Sequence, residues 1–464
     1  MNFHKLLVER NAAGKPLRVG LIGAGKFGSM YLSQAVRTPG IALVAVADLA
    51  PDRARDAMTR LGWPLDRLGA RSFAEALATS TVHLTDDAGA MIAAPEVDIV
   101  IDATGNPAAG IRHVLTCCAN GKDVVMVNVE ADALAGPLLA RKAREAGIVY
   151  SLAYGDQPAL ICEMVDWARC VGLEVVAAGK GTKYLPVFHR STPETVWEHY
   201  GISAADAKAG GMNPQMFNSF LDGTKSALEM AAVANATGLA CPDDGLTFPA
   251  CGVDDLPRLL KPKVDGGILD HRGQVEVVSS LERDQRPVFR DLRWGVYVTF
   301  AAGSDYVRRC FGEYGLNTDA SGEFASMYKP YHLIGLELGV SVASVGLRRE
   351  STGAALGWHA DVVATAKRDL AAGETLDGEG GFCVYGKLMS AQASLTLGGL
   401  PLGLAHGIRL KKPIKEGTPI AYSDVDFGSG NEALSFRRQM EQDLGPQVAH
   451  VQRHQEAGRI QRRA

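Results

Sequence analysis

The eight cysteines of this 464-residue chain form no C-x-x-C pair and follow no regular spacing. That excludes a disulfide framework or a cysteine-bound zinc and leaves them as reduced thiols packed as small hydrophobes. Histidine is no more suggestive of metal. His113 and Cys117 share a helical spacing that reads as packing, and His199, His271, His332 and His406 stand alone, with no H-E-x-x-H pattern. No apolar run approaches the ~18 residues of a membrane span. Lys5, Glu9 and Arg10 interrupt the N-terminal segment, so no membrane association is expected. Long blocks of one charge are also missing. The 48 Lys and Arg nearly cancel the 52 Asp and Glu, for a net charge of −4, which argues against bulk electrostatic binding of nucleic acid. Nor is there a solenoid-type repeat. What remains is the profile of a soluble, cytoplasmic globular protein, long enough for about two to four domains.

From residue 16 to 150, short β-branched apolar runs (17–22, 41–47, 97–101, 124–127 and 148–152) alternate with amphipathic segments. This is the pattern of a parallel sheet covered by helices on both faces. Beyond residue 153 the texture becomes α+β: a helix over 157–170, a strand over 174–178, a polar Gly/Lys loop, one long helix over 214–237, and strands over 274–281 and 288–300. From Asp361 to about Phe427, short strands with Gly-rich turns predict a β-rich module. The expected division is therefore 1–152 for a Rossmann domain, 153–360 for a catalytic and dimerisation domain, 361–427 for a β-rich domain and 428–464 for a tail. From Glu441 the tail lacks apolar periodicity, and with Arg453, Arg459, Arg462 and Arg463 it is expected to be basic and frayed.

The first strand runs into Gly23-Ala24-Gly25-Lys26-Phe27-Gly28 and then into a helix. Gly23 permits the tight turn, Gly25 lets backbone approach a pyrophosphate, and Gly28 lets helix and strand pack closely. The helix N-terminus offers free N–H groups to the phosphates. Asp48 ends the next strand, 20 positions past Gly28, where a carboxylate binds the ribose 2′-OH of NAD. Arg53 and Arg55 just beyond suit a 2′-phosphate, so NADPH and NADH both stay open. Thr104-Gly105-Asn106 follows the 97–101 strand at its carboxyl end, the ligand edge of such sheets. Asn106 reads equally as a helix cap or as a nicotinamide contact. Asn128 and Glu130 close the next strand at the same edge, with Glu130 either a first-turn helix acid or a substrate contact.

Asp156 opens the 157–170 helix, either as its cap or at a cleft edge. Lys180, Thr182 and Lys183 lie in a Gly-containing stretch able to wrap a phosphate or carboxylate. On the long helix, Asn218, Asp222, Lys225 and Glu229 project as one polar stripe. That stripe is either a solvent face or a set of acid and base groups.

The blocks VGLIGAGKFGSM, IDATGNPAAG, VVMVNVEAD, SLAYGDQPAL, GKGTKYLP and MNPQMFNSFLDGTKSALEMAAVANATGL resemble the deoxyxylulose-5-phosphate reductoisomerase-like proteins, relatives of homoserine dehydrogenases in fold. The stretch 361–427 is similar to the SAF β-clip module. The resemblance implies a homodimeric, NADPH-dependent enzyme that turns 1-deoxy-D-xylulose 5-phosphate into 2-C-methyl-D-erythritol 4-phosphate in isoprenoid synthesis. It also implies a small phosphorylated substrate and a divalent cation such as Mg2+ or Mn2+, whose ligands no pattern in the chain identifies. For that chemistry, Asp156, Asp222 and Glu229 serve as acid and base groups, and Lys180, Lys183 and Asn218 as phosphate donors. Lys225 is the general acid/base and the 23–28 loop delivers hydride. Two alternatives stand beside it. One is a homoserine dehydrogenase-like enzyme for another hydroxy acid, aldehyde or semialdehyde, although Val129 follows Asn128 where those enzymes carry lysine. The other is an NAD(P)-sensing protein without catalysis.

Overall fold

The computed structural model describes residues 2–209, 212–428 and 430–461, with side chains through 448. The chain forms two compact units, one of residues 1–163 with 332–355, the other of 164–331 with 356–464. The cuts differ from those expected from sequence: 332–355 belongs with the nucleotide-binding unit, and the β-rich module shares a unit with the central sheet.

The first unit holds six parallel strands: β1 (Leu17–Ile22), β2 (Ile41–Ala47), β3 (His83–Thr85), β4 (Ile99–Asp102), β5 (Asp123–Met126) and β6 (Tyr150–Leu152). Their order is β3-β2-β1-β4-β5-β6, the doubly wound arrangement whose ligand crevice lies at the carboxyl ends beside β1 and β4. β3 escapes the sequence pattern because its three residues carry no distinct apolar run. Leu338, Val342 and Val345, around the helix Gly339–Arg348, complete this core against Leu17, Val19 and Ile99.

The second unit contains β7 (Glu174–Thr182), β8 (Gln274–Ser279), β9 (Val296–Ala301) and β10 (Phe324–Lys329), ordered β10-β9-β7-β8. β7 runs four residues past its expected end and absorbs the anticipated Gly/Lys loop. Gly179 and Gly181 are needed there for close packing, since a Cβ would stand 1.8 Å from the Glu276 carbonyl oxygen or 1.9 Å from that of Leu292. The 288–300 strand is shorter than expected and begins at Val296. β11 (Ala360–Ala366) pairs antiparallel with β13 (Val384–Ser390), while β12 (Thr375–Asp377), β14 (His406–Leu410) and β15 (Val425–Asp426) form a second small sheet.

Two expectations need correction. The 214–237 helix is two helices, Pro214–Leu221 and Thr224–Thr237, broken at Asp222-Gly223 where Gly223 takes φ +88°. The expected tail forms a helix over Glu432–Gln461. Arg437 anchors it: fully buried, the guanidinium meets Asp361 in two hydrogen bonds of 3.1 and 2.5 Å. Arg462 and Arg463 lie outside the described residues.

Candidate functional site

Nucleotide-binding geometry is present in the first unit. Gly23 takes φ +93° directly after β1, and a Cβ at Gly28 would stand 2.2 Å from the Gly23 carbonyl oxygen, so that position needs glycine for packing. Gly25 differs: it precedes the helix Lys26–Ala35, and a Cβ there would meet nothing within 4 Å. The open space over Gly25, next to first-turn N–H groups of Lys26, Phe27 and Gly28 that have no intrahelical acceptor, fits a pyrophosphate. The Asp48 carboxylate accepts from the Ala24 and Ala50 N–H groups, both at 2.9 Å, which ties the end of β2 to the glycine loop. Arg53 is exposed in the following helix.

The loop after β4 is braced from within. Asp102, fully buried, accepts from the Thr104 N–H at 3.0 Å and hydroxyl at 2.7 Å. Asn106 caps the helix Pro107–Asn120 through the Ala109 N–H. Asn128 donates to Thr104 Oγ1 and the Asn106 carbonyl while its Oδ1 caps the next helix at Ala131. Its amide hydrogens are therefore committed, and Asn128 shapes the loop instead of reaching for substrate. Glu130 comes within 4.0 Å of a Cβ built on Gly105. Asp156 also belongs to this unit and accepts from the Gln157 N–H at 3.0 Å, at the start of the helix.

The second unit gathers the remaining candidates, in roles that differ from the expected stripe. Lys180 and Glu229 are both buried and pair with each other. Asn218 is buried and committed, accepting from the Ser191 hydroxyl and donating to the Ser191 and Gly380 carbonyls. Asp222 is sealed from water. Its Oδ1 accepts from the Thr224 N–H at 2.9 Å and its Oδ2 lies 2.7 Å from Lys367 Nζ. Lys367 aims N–H groups at the Ser191 and Gly381 carbonyls, both at 2.8 Å, and makes no hydrogen bond to Oδ2. The contact is thus an ion pair without an aligned hydrogen bond. Of the helix Thr224–Thr237, Lys225 alone escapes full burial.

Next to this helix start lies an aromatic cluster. His189 stacks on Tyr385 with 4.2 Å between ring centroids and meets Tyr184 edge-on at 5.2 Å, while Phe248 stacks on Tyr184 at 3.9 Å. Phe248 holds a left-handed φ of +48°. The buried Glu276 carboxylate fixes that turn by accepting from the Thr247 hydroxyl at 2.8 Å and from the Thr247 and Phe248 N–H groups. Burial pushes the Glu276 carboxyl up to about 7. Past Thr182 at the end of β7, Lys183 donates to the His199 carbonyl at 2.6 Å and lies 5.8 Å from the centre of the Tyr200 ring. Burial first, then the charge of Arg293, lowers its pKa. Neither Lys183 nor Arg293 has a carboxylate partner among the described residues. Two uncompensated cations within electrostatic reach of one another suit an anion.

The described residues contain no group of three His, Cys, Asp or Glu able to hold a metal ion. Sequence reasoning missed His189, Glu276 and Lys367, because each acquires its partners only through tertiary contacts and sits in no short motif.

Three family models match: the homoserine dehydrogenase NAD binding domain over residues 19–151, the catalytic domain of oxidoreductase DRL over 155–338, and the SAF domain over 361–426. No curated protein matches. Among solved structures, a homoserine dehydrogenase from Thiobacillus denitrificans is 22% identical with a TM-score of 0.33, covering 48% of this chain and 50% of its own. The chain thus spans about half the length of that dehydrogenase. A scyllo-inositol dehydrogenase from Lactobacillus casei is 11% identical with a TM-score of 0.34, covering 68% of this chain and 76% of its own. The glycine loop, the doubly wound sheet and these domain matches together show that the chain joins a homoserine dehydrogenase-type NAD-binding domain, a domain matching the catalytic domain of oxidoreductase DRL and a SAF domain.

Proposed function

We propose that the chain is an NADPH-dependent reductoisomerase of a phosphorylated deoxy-ketose, converting 1-deoxy-D-xylulose 5-phosphate into 2-C-methyl-D-erythritol 4-phosphate. The observation that carries the reading is that Lys183 and Arg293, in the domain that matches the DRL catalytic model, have no carboxylate partner among the described residues. A phosphate needs such charge locally, and a chain of near-neutral total can supply it. Arg53, exposed in the helix after β2, is the group offered to the 2′-phosphate of NADPH. Bound NADPH supplies the hydride. Lys225, at the partly open start of a buried helix, gives a proton to the carbonyl oxygen as hydride arrives.

The test is NADPH oxidation with 1-deoxy-D-xylulose 5-phosphate, with and without Mg2+ or Mn2+, followed by NMR of the product skeleton. A branched product supports the assignment. An unbranched alcohol moves the chain to the simple dehydrogenases, and absence of turnover under every condition overturns the reading.

A further inference from the structure

Hydride transfer with proton delivery from Lys225 accounts for the reduction but leaves the carbon rearrangement without a base. One titratable group in the second unit is arranged for it. His189 Nδ1 lies 2.7 Å from the carbonyl oxygen of Asp222. A carbonyl only accepts, so the proton sits on Nδ1 and the neutral ring presents its lone pair at Nε2. Nε2 has no hydrogen-bond partner among the described residues, and the histidine is only partly buried. The ring cannot swing away, because Tyr385 covers one face and Tyr184 meets it edge-on. Gly223, at φ +88°, makes room for it: a Cβ there would press to 3.2 Å from the histidine Cε1. The buried Glu276 acts at one remove as a positioning residue, since it holds the Phe248 turn against Tyr184.

We propose that Nε2 of His189 is the base of the rearrangement, taking a proton from a substrate hydroxyl and returning it to the oxygen of the neighbouring carbonyl. This rests on the reductoisomerase reading. The hydroxyl O–H bond breaks and its oxygen uses the freed pair to form a new carbonyl. The migrating carbon leaves with its C–C bonding pair and bonds to the adjacent carbonyl carbon, whose π pair moves onto oxygen. That oxygen collects the proton held on Nε2. The step is redox-neutral and proton-neutral, and the aldehyde it produces then takes hydride from NADPH and a proton from Lys225.

The surroundings keep the base free. Burial, the largest influence, pushes the imidazolium below its ordinary pKa. The Asp222 carbonyl and carboxylate act in the opposite sense, and Lys367 and Lys387 reinforce burial. Tyr184 and Tyr385, both raised by burial, stay neutral across this range. Nε2 is therefore unprotonated at neutral pH, and rearrangement fails only as pH falls through that lowered value.

His189→Asn tests the assignment, because the Asn amide nitrogen can replace Nδ1 as donor to Asp222 while Nε2 is removed. Two substrates are compared: the deoxy-ketose phosphate, which needs rearrangement and reduction, and the branched aldehyde phosphate, which needs reduction alone. Ketose turnover is expected to drop on the order of 100- to 10,000-fold, as for loss of a general base, with KM and aldehyde reduction near wild type and the acid limb of the ketose pH profile abolished. Equal losses on both substrates, or none, overturn the role of His189 alone. A wild-type chain inert on both overturns the substrate reading and this inference with it.

Discussion

Lys367, from the strand end of the β-rich module, lies 2.7 Å from the carboxylate of Asp222 at the break between two helices, and neither side chain reaches water. Charges sealed in this way are held by each other. Lys367→Met strands the Asp222 carboxylate and is expected to destabilise the chain by about 3–5 kcal/mol. Urea unfolding measures this, and a loss below about 1 kcal/mol, the level of an exposed pair, would contradict it.

Gly25 and Gly28 are expected to fail in different ways. A side chain at Gly25 projects into open space, so Gly25→Val keeps its melting temperature and loses nucleotide affinity by calorimetry. A side chain at Gly28 collides with the Gly23 backbone, so Gly28→Val lowers the melting temperature as well. Retained NADPH affinity in Gly25→Val would refute the pyrophosphate assignment.

Asp132 in the helix Val129–Glu145 is buried and accepts from the Tyr150 hydroxyl at 2.7 Å, and burial pushes its carboxyl up to about 6. The unfolded carboxyl titrates lower, so between the two values the folded chain binds more protons. Stability from this site is complete below the unfolded value and is lost as pH rises through about 6, by on the order of 3 kcal/mol. Asp132→Asn keeps an acceptor for Tyr150 and cannot ionise, so its melting temperature at pH 7 to 8 is expected to exceed that of wild type. Glu276, raised to about 7, leaves a residual slope of the same sign. Parallel pH curves for variant and wild type would refute the assignment.

Arg437→Met removes the arginine partner of buried Asp361 and one of the three groups that hold Glu441, leaving Tyr422 and Arg438 on that carboxylate. A loss of about 3–5 kcal/mol is expected. Unchanged thermal unfolding would show that the C-terminal helix contributes little to its unit.

What the sequence made legible was local. The glycine loop, the strand before it and Asp48 all lie within a few dozen residues, and their chemistry follows from backbone geometry. The helix break at Asp222-Gly223 was not legible. An interior glycine costs a helix only about 1 kcal/mol, so one continuous wheel lined up Asn218, Asp222, Lys225 and Glu229 as a single stripe. In the folded chain Asn218 braces a loop, Glu229 neutralises Lys180, and Asp222 finds a lysine in another module. Burial decided these roles, and burial of a charge depends on a partner that only tertiary structure supplies.

The nucleotide-binding unit takes its last helix, Gly339–Arg348, from beyond the whole central sheet, and a Cβ on Gly346 would strike Leu17 and Ile99. During synthesis, β1 to β6 therefore emerge long before the segment that seals their hydrophobic face. At roughly 5–20 residues per second the interval is about 10–40 s. A nascent chain halted before that helix leaves Leu17 and Ile99 uncovered, so cofactor binding reports translation of about three quarters of the protein and not merely of its first third.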